Sequence, residues 1–132
     1  MDSAFLSPTP PATPKRILVV EDEFLICFTL AEALGDEGFD VLTATSGEDA
    51  LPILQTDHSI GLLLTDIRLS GDLDGRLLAE LARRTRPNLP TVFVTGETEL
   101  MGEASPLDRY IGKPYKLREL CHAVRTLTEP LR

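Results

Sequence analysis

Four apolar runs in this chain of 132 residues each stop at a polar cluster, and that repetition restricts the fold more than any other feature. Ile17-Leu18-Val19-Val20 stops at Glu21-Asp22, the run from Ile60 stops at Thr65-Asp66, Val92-Phe93-Val94 stops at Thr95, and Tyr110-Ile111 leads into Lys113-Pro114. In a parallel sheet wrapped by helices, the carboxyl ends of the strands share one edge, so residues distant in sequence meet in one crevice. That crevice would hold three carboxylates, a hydroxyl and an ammonium. Carboxylates brought so close raise one another's pKa unless a cation joins them, so the cluster implies a metal with oxygen ligands.

The runs alternate with segments of helical periodicity. Strands are expected at Arg16 to Val20, Asp40 to Ala44, Ile60 to Thr65, Thr91 to Thr95 and Arg109 to Ile111. Helices are expected over Glu23 to Gly35, Gly47 to Gln55, Asp74 to Arg86 and Lys116 to Thr128, with a short piece near Glu97 to Gly102. This order reads as an α/β chain, a doubly wound five-stranded parallel sheet with helices on both faces. The first and third runs lack alternation, as central strands covered on both sides should. In the last helix Leu117, Leu120, Cys121, Val124 and Leu127 keep helical spacing and should face the sheet. In the first helix Phe24, Cys27, Phe28, Ala31 and Leu34 form one apolar stripe. Leu25, Ile26 and Leu30 widen it beyond what packing on a sheet requires.

Residues 1 to 14 contain Pro8, Pro10, Pro11 and Pro14 and only Phe5 and Leu6 as large apolar side chains, so a flexible tail is expected ahead of a single domain over residues 15 to 132. The tail lacks the basic start and apolar core of a signal peptide, and no apolar run is long enough to span a bilayer, which points to the cytoplasm and away from membranes. A formal charge of -8 argues against nucleic acid as a partner. Lys15-Arg16, Arg83-Arg84 and Arg86 read as solvated faces. Cys27 and Cys121 stand far apart without zinc-ligand neighbours and read as buried thiols. His58 and His122 read as surface positions.

Val19-Val20-Glu21-Asp22-Glu23, Leu64-Thr65-Asp66, Phe93-Val94-Thr95-Gly96 and Gly112-Lys113-Pro114-Tyr115, in that order, resemble the receiver domain of bacterial two-component response regulators across residues 15 to 129. The resemblance implies a flavodoxin-like sheet of strand order 2-1-3-4-5. It also implies Mg²⁺, held directly by Asp22 and Asp66, through water by Glu21, and by the backbone carbonyl of Arg68. Asp66 would accept a phosphoryl group from a histidine kinase or histidine phosphotransfer protein, with Lys113 and Thr95 contacting the phosphate and Thr95 and Tyr110 forming a switch pair. Such a domain is not an enzyme beyond its own phosphoryl acceptance and slow autodephosphorylation. It acts on a downstream protein, unknown here, or as a phosphoryl shuttle or sink, as a monomer or weak homodimer. The chain ends just after its last helix, so a standalone receiver is expected.

Several positions depart from the family pattern. Between Asp66 and Gly75 the usual proline is replaced by Ser70-Gly71 in a slightly longer loop. Arg68 and Glu97 fill variable positions at the site mouth, where opposite charges would pair and hinder water. The segment Glu97 to Pro106 is short and holds Gly102, so the fourth helix should be shortened or degenerate. Together with Phe93-Val94-Thr95-Gly96 this is similar to alphaproteobacterial standalone receivers with a Phe-Ala-Thr-Gly fourth strand. In the family the first helix and the loop after the fifth strand dock on the kinase. The extra apolar residues of the first helix would serve that contact or a homodimer. Two other readings stand beside this one: a degenerate receiver that binds partners without phosphorylation, and an aspartyl-phosphate phosphatase. The phosphatases usually carry a second Asp where this chain has Arg68. A nucleotide-binding P-loop would need Gly where Leu107 stands.

Overall fold

Ile17, Leu18, Val19 and Val20 are no more than 1% exposed, which a strand achieves only when both of its faces are covered. The computed structural model, which describes residues 15–103 and 105–129, puts that strand inside a five-stranded sheet. The tail expected over residues 1–14 lies outside the described residues. The order is β1 (Arg16–Val20), α1 (Phe24–Asp36), β2 (Asp40–Ala44), α2 (Gly47–Thr56), β3 (Ile60–Asp66), α3 (Gly75–Ala82), β4 (Thr91–Thr95), a 3-10 turn (Thr98–Leu100), β5 (Asp108–Gly112) and α4 (Leu117–Thr128). All pairings are parallel and the strands lie in the order β2-β1-β3-β4-β5, as expected.

Alternate side chains of each strand serve opposite faces. Ile17, Val19, Leu62, Leu64, Val92 and Val94 pack under α1 and α4, against Leu30, Leu34, Leu120 and Val124. Leu18, Val20, Leu63 and Phe93 pack under α2 and α3, against Ala50, Leu54, Leu78 and Ala82. Asp74 caps α3 by accepting from the Leu77 amide at 2.8 Å, and Ser46 caps α2 by accepting from Asp49 at 3.0 Å. Among the described residues no helix is long and apolar enough to cross a membrane.

Between β4 and β5 the fourth helix is reduced to a single 3-10 turn, Thr98–Leu100, in line with the shortened or degenerate element expected from sequence. Three details differ from the sequence reading. The helix expected to reach Arg86 stops at Ala82, and bonded turns carry the chain on while the Arg83 guanidinium bonds the Leu89 carbonyl and Asp108. Arg83 and Arg16 are therefore not free solvated charges: Arg16 bonds Asp40, Asp57 and Ser59. Finally, the buried side of α1 is Cys27, Leu30 and Leu34, whereas Phe24, Leu25 and Phe28 are 72%, 74% and 55% exposed, so the inward stripe is rotated from the expected one. Leu117 is likewise partly exposed, at 39%, while Leu120, Cys121 and Val124 are buried. Cys27 and Cys121 are buried free thiols, and His58 and His122 are exposed, as read from sequence.

Candidate functional site

Register sets the site. Val20 pairs with Thr65, Asp66 with Val94, and Thr95 with Gly112, so Glu21, Asp22, Asp66, Thr95 and Lys113 all emerge at one edge of the sheet. The Lys113 amide donates to the Thr95 carbonyl at 2.8 Å, extending the ladder one residue and turning the side chain inward. The Lys113–Pro114 bond is cis. Lys113 Nζ lies 2.5 Å from Asp66 Oδ2. The other oxygen, Asp66 Oδ1, accepts from the Arg68 amide at 3.0 Å.

Gly75 lets this edge form. Its amide donates to the Ile67 carbonyl at 2.8 Å, and a Cβ there would stand 2.2 Å from the Asp66 carbonyl oxygen. The first turn of α3 is thus pressed onto the backbone of the strand end that carries Asp66.

Glu21 is nearly fully buried and accepts from the Glu23 amide at 3.0 Å. Burial pushes its pKa up to about 7; the Glu23 amide opposes this, while Asp22 and the charge of Asp66 add to it. Burial also acts to raise Asp22, but hydrogen bonds from Glu21 and from the Ser70 amide and hydroxyl outweigh it, so its carboxyl sits below the ordinary range. The two neighbouring carboxyls are thus shifted in opposite directions, Glu21 up and Asp22 down. For Lys113, burial disfavours the charge, but the bond to Asp66 and its field prevail and the ammonium is held more tightly than usual.

Among the described residues no three Asp, Glu, His or Cys side chains close into a ready metal cage. The reason is visible in the bonds: Asp66 is taken by Lys113, and Asp22 Oδ2 accepts from the Ser70 amide at 3.0 Å. The donors nevertheless suit Mg²⁺, which needs only one or two carboxylates, keeps most of its waters and prefers hard oxygen. Burial first, and the neighbouring Asp22 and Asp66 after it, disfavour the charged form of Glu21, a cost that a divalent cation beside it would relieve.

Thr95 is buried, its hydroxyl accepting from the Glu97 amide at 3.1 Å. Tyr110 lies on the same face of the sheet two register pairs lower, stacked on Phe93 with ring centroids 4.9 Å apart. The Arg76 guanidinium sits 5.4 Å over its ring and also donates to the Leu100 carbonyl. Arg68 and Glu97 meet in a two-pronged pair, Nε to Oε1 at 3.0 Å and Nη2 to Oε2 at 2.9 Å. The site residues proposed from sequence, Glu21, Asp22, Asp66, Arg68, Thr95, Glu97, Tyr110 and Lys113, thus lie at or beside this edge. Sequence reading missed Glu48, Gly75, Arg76 and the packing role of Gly102. The Gly47-Glu48 pair opposite a loop without proline was the available signal for the first.

The model of the response regulator receiver domain matches residues 17–125. The aerobic respiration control protein ArcA of Escherichia coli (strain K12) is 37% identical over 116 residues, covering 85% of this chain and 48% of ArcA. The alkaline phosphatase synthesis transcriptional regulatory protein PhoP of Bacillus subtilis (strain 168) is 32% identical, covering 86% of this chain and 48% of PhoP. The chain thus spans about half the length of these curated relatives. Among solved structures, a response regulator receiver protein from Sinorhizobium medicae WSM419 superposes with a TM-score of 0.79 at 30% identity, covering 87% of this chain and 94% of that one. The receiver domain of the hybrid histidine kinase CckA does so at 0.74 and 32%, covering 86% and 99%.

Proposed function

Because the chain belongs to the response regulator receiver domain family, we propose that it takes a phosphoryl group from the phosphohistidine of a kinase or phosphotransfer protein onto Asp66. The observation that carries this is the Lys113 ammonium held 2.5 Å from one oxygen of a buried aspartate at the end of β3. An Asp66 carboxylate oxygen attacks phosphorus, the P–N bond breaks, and the histidine ring leaves with the electron pair. The transfer needs alignment and neutralisation of the moving oxygens more than covalent help from the protein. Lys113 supplies one fixed positive charge for this. Asp22, Asp66, the Arg68 carbonyl and, through water, Glu21 would hold Mg²⁺. The bound ion would supply further neutralisation of the phosphoryl oxygens.

Thr95 and Tyr110 then act as the switch: the Thr95 hydroxyl turns from the Glu97 amide to the phosphoryl group, and Tyr110 responds to the space it leaves. On this reading Thr95→Ala accepts phosphate but responds weakly, and Lys113→Ala loses both acceptance and response. Amide NMR shifts with and without beryllofluoride distinguish the two; a full response in Thr95→Ala would remove the threonine from the switch.

Arg68 and Glu97 lie across the mouth of the site and would slow the entry of hydrolytic water. Both are solvent-exposed, so the effect is modest: Glu97→Ala should shorten the phosphoryl lifetime about threefold. Decay of the phosphorylated mass peak measures it, and an unchanged lifetime removes the pair from that role.

The reading places the domain in the cytoplasm as a phosphoacceptor, with the exposed Phe24, Leu25 and Phe28 of α1 as its contact for the kinase side. The degenerate segment between β4 and β5 supports membership of the Phe-Ala-Thr-Gly subgroup. Mass spectrometry after incubation with a small phosphodonor tests the proposal. One base-labile phosphoryl group should appear, only with Mg²⁺ present; no gain under any donor would overturn it.

A further inference from the structure

The loop between β3 and α3 carries the groups expected on the metal side of Asp66, yet it lacks the proline that would stiffen it. Carboxylates hold it instead. The Arg68 amide donates to Asp66 Oδ1 at 3.0 Å, the Ser70 amide to Asp22 Oδ2 at 3.0 Å, and the Asp72 amide to Glu48 Oε2 at 2.9 Å. Asp66 and Asp22 belong to the site already described. Glu48 reaches the loop from outside it, from the first turn of α2.

Two glycines make that reach possible. A Cβ at Gly47 would stand 2.6 Å from Leu73 Cβ and 2.8 Å from its carbonyl oxygen, so only glycine lets the loop rest on the start of α2. Gly71 has φ +97, and a Cβ there would stand 2.9 Å from both carboxylate oxygens of Glu48. The left-handed turn at Gly71 thereby aims the next amide at the carboxylate. Amides of Asp72, Glu48 itself and Leu73 together hold the Glu48 carboxyl below its usual range, independent of any metal.

We propose that Glu48 is a positioning residue for Mg²⁺ binding, anchoring the β3–α3 loop so that the Arg68 carbonyl stays in place while Asp22 and Asp66 take the cation. The proposal rests on the functional reading above. Asp22 divides its oxygens between Ser70 and the cation, and Asp66 is committed to the chemistry. Glu48 is the anchor that neither step disturbs. An outer partner that orients a metal-binding group commonly changes metal affinity by tenfold or more when removed.

The test is isothermal titration calorimetry of the full chain with magnesium chloride and no phosphodonor, alongside hydrogen exchange of the Asp72 amide. Glu48→Ala should raise the Kd for Mg²⁺ about tenfold and speed exchange at Asp72 in the metal-free protein. Glu48→Gln keeps an acceptor oxygen without the charge and should restore most of the affinity. If Gln is as impaired as Ala, the residue acts only through its charge at the helix start, and the clamp is wrong. Equal affinity in Glu48→Ala and wild type, or unchanged exchange at Asp72, also overturns it. If the wild-type chain itself takes up no Mg²⁺, the functional reading above fails, and this inference with it; that result differs plainly from equal binding by both proteins.

Discussion

Replacing Asp66 with Asn should abolish phosphoryl acceptance while leaving the fold intact. Asn fills the same volume, and its amide oxygen can still accept from Arg68, so the loss would be one of nucleophile and charge rather than of shape. Lys113, partly exposed, would lose its partner but keep access to water. Asp22→Ala should also fail, by at least about a hundredfold in rate, because it removes the carboxylate best placed for a cation and frees the Ser70 amide at once. Mass spectrometry with Mg²⁺ and a small phosphodonor reads both. Label at unchanged stoichiometry in Asp66→Asn would move the acceptor elsewhere.

The largest effect on stability should come from a single methyl group. Gly75→Ala would place Cβ 2.2 Å from the Asp66 carbonyl oxygen and 3.0 Å from both the Asp66 carbonyl carbon and Ile67 Cα, all of them backbone atoms that cannot step aside. Relieving the overlap means tilting α3 off the sheet or bending the end of β3, at a cost of about 3 kcal/mol, roughly ten degrees in Tm. Phosphoryl acceptance should fall with it, since the bend begins at Asp66. Thermal unfolding followed by circular dichroism measures the first effect, and a melting temperature equal to wild type would show that α3 is free to shift.

Much of this was legible in the sequence because the sheet imposes simple rules. Unbroken apolar runs identified β1 and β3, and the shared carboxyl edge of parallel strands then forced Asp22, Asp66, Thr95 and Lys113 together whatever their spacing in the chain. The charge pair Arg68 and Glu97 was legible for the same reason, each lying two residues past a strand-end group. What escaped depends on contacts that leave no periodic trace. The inward side of α1 was read one step off because Phe24, Leu25, Phe28 and Leu30 all offered apolar surface; the neighbouring helix α4 and the sheet decided it. Glu48 reads as an ordinary acidic residue at a helix start, and only the close approach at Gly47 and Gly71 gives it a loop to hold. Gly102 reads as a helix breaker, but it is also the place where a tyrosine rests.

That last contact has a mechanical meaning. With the Tyr110 ring stacked on Phe93 beneath, capped by Arg76 and touching the main chain at Gly102, the aromatic fills a socket whose wall is the polypeptide between β4 and β5. The ring is half-buried there, with its tip turned toward Gly102. On the proposed switch reading, a rotation of Tyr110 would bear on the segment at Gly102 through shape rather than charge, a coupling insensitive to salt. Position 102 is the point of contact, where a single added carbon would occupy the space of the tyrosine tip.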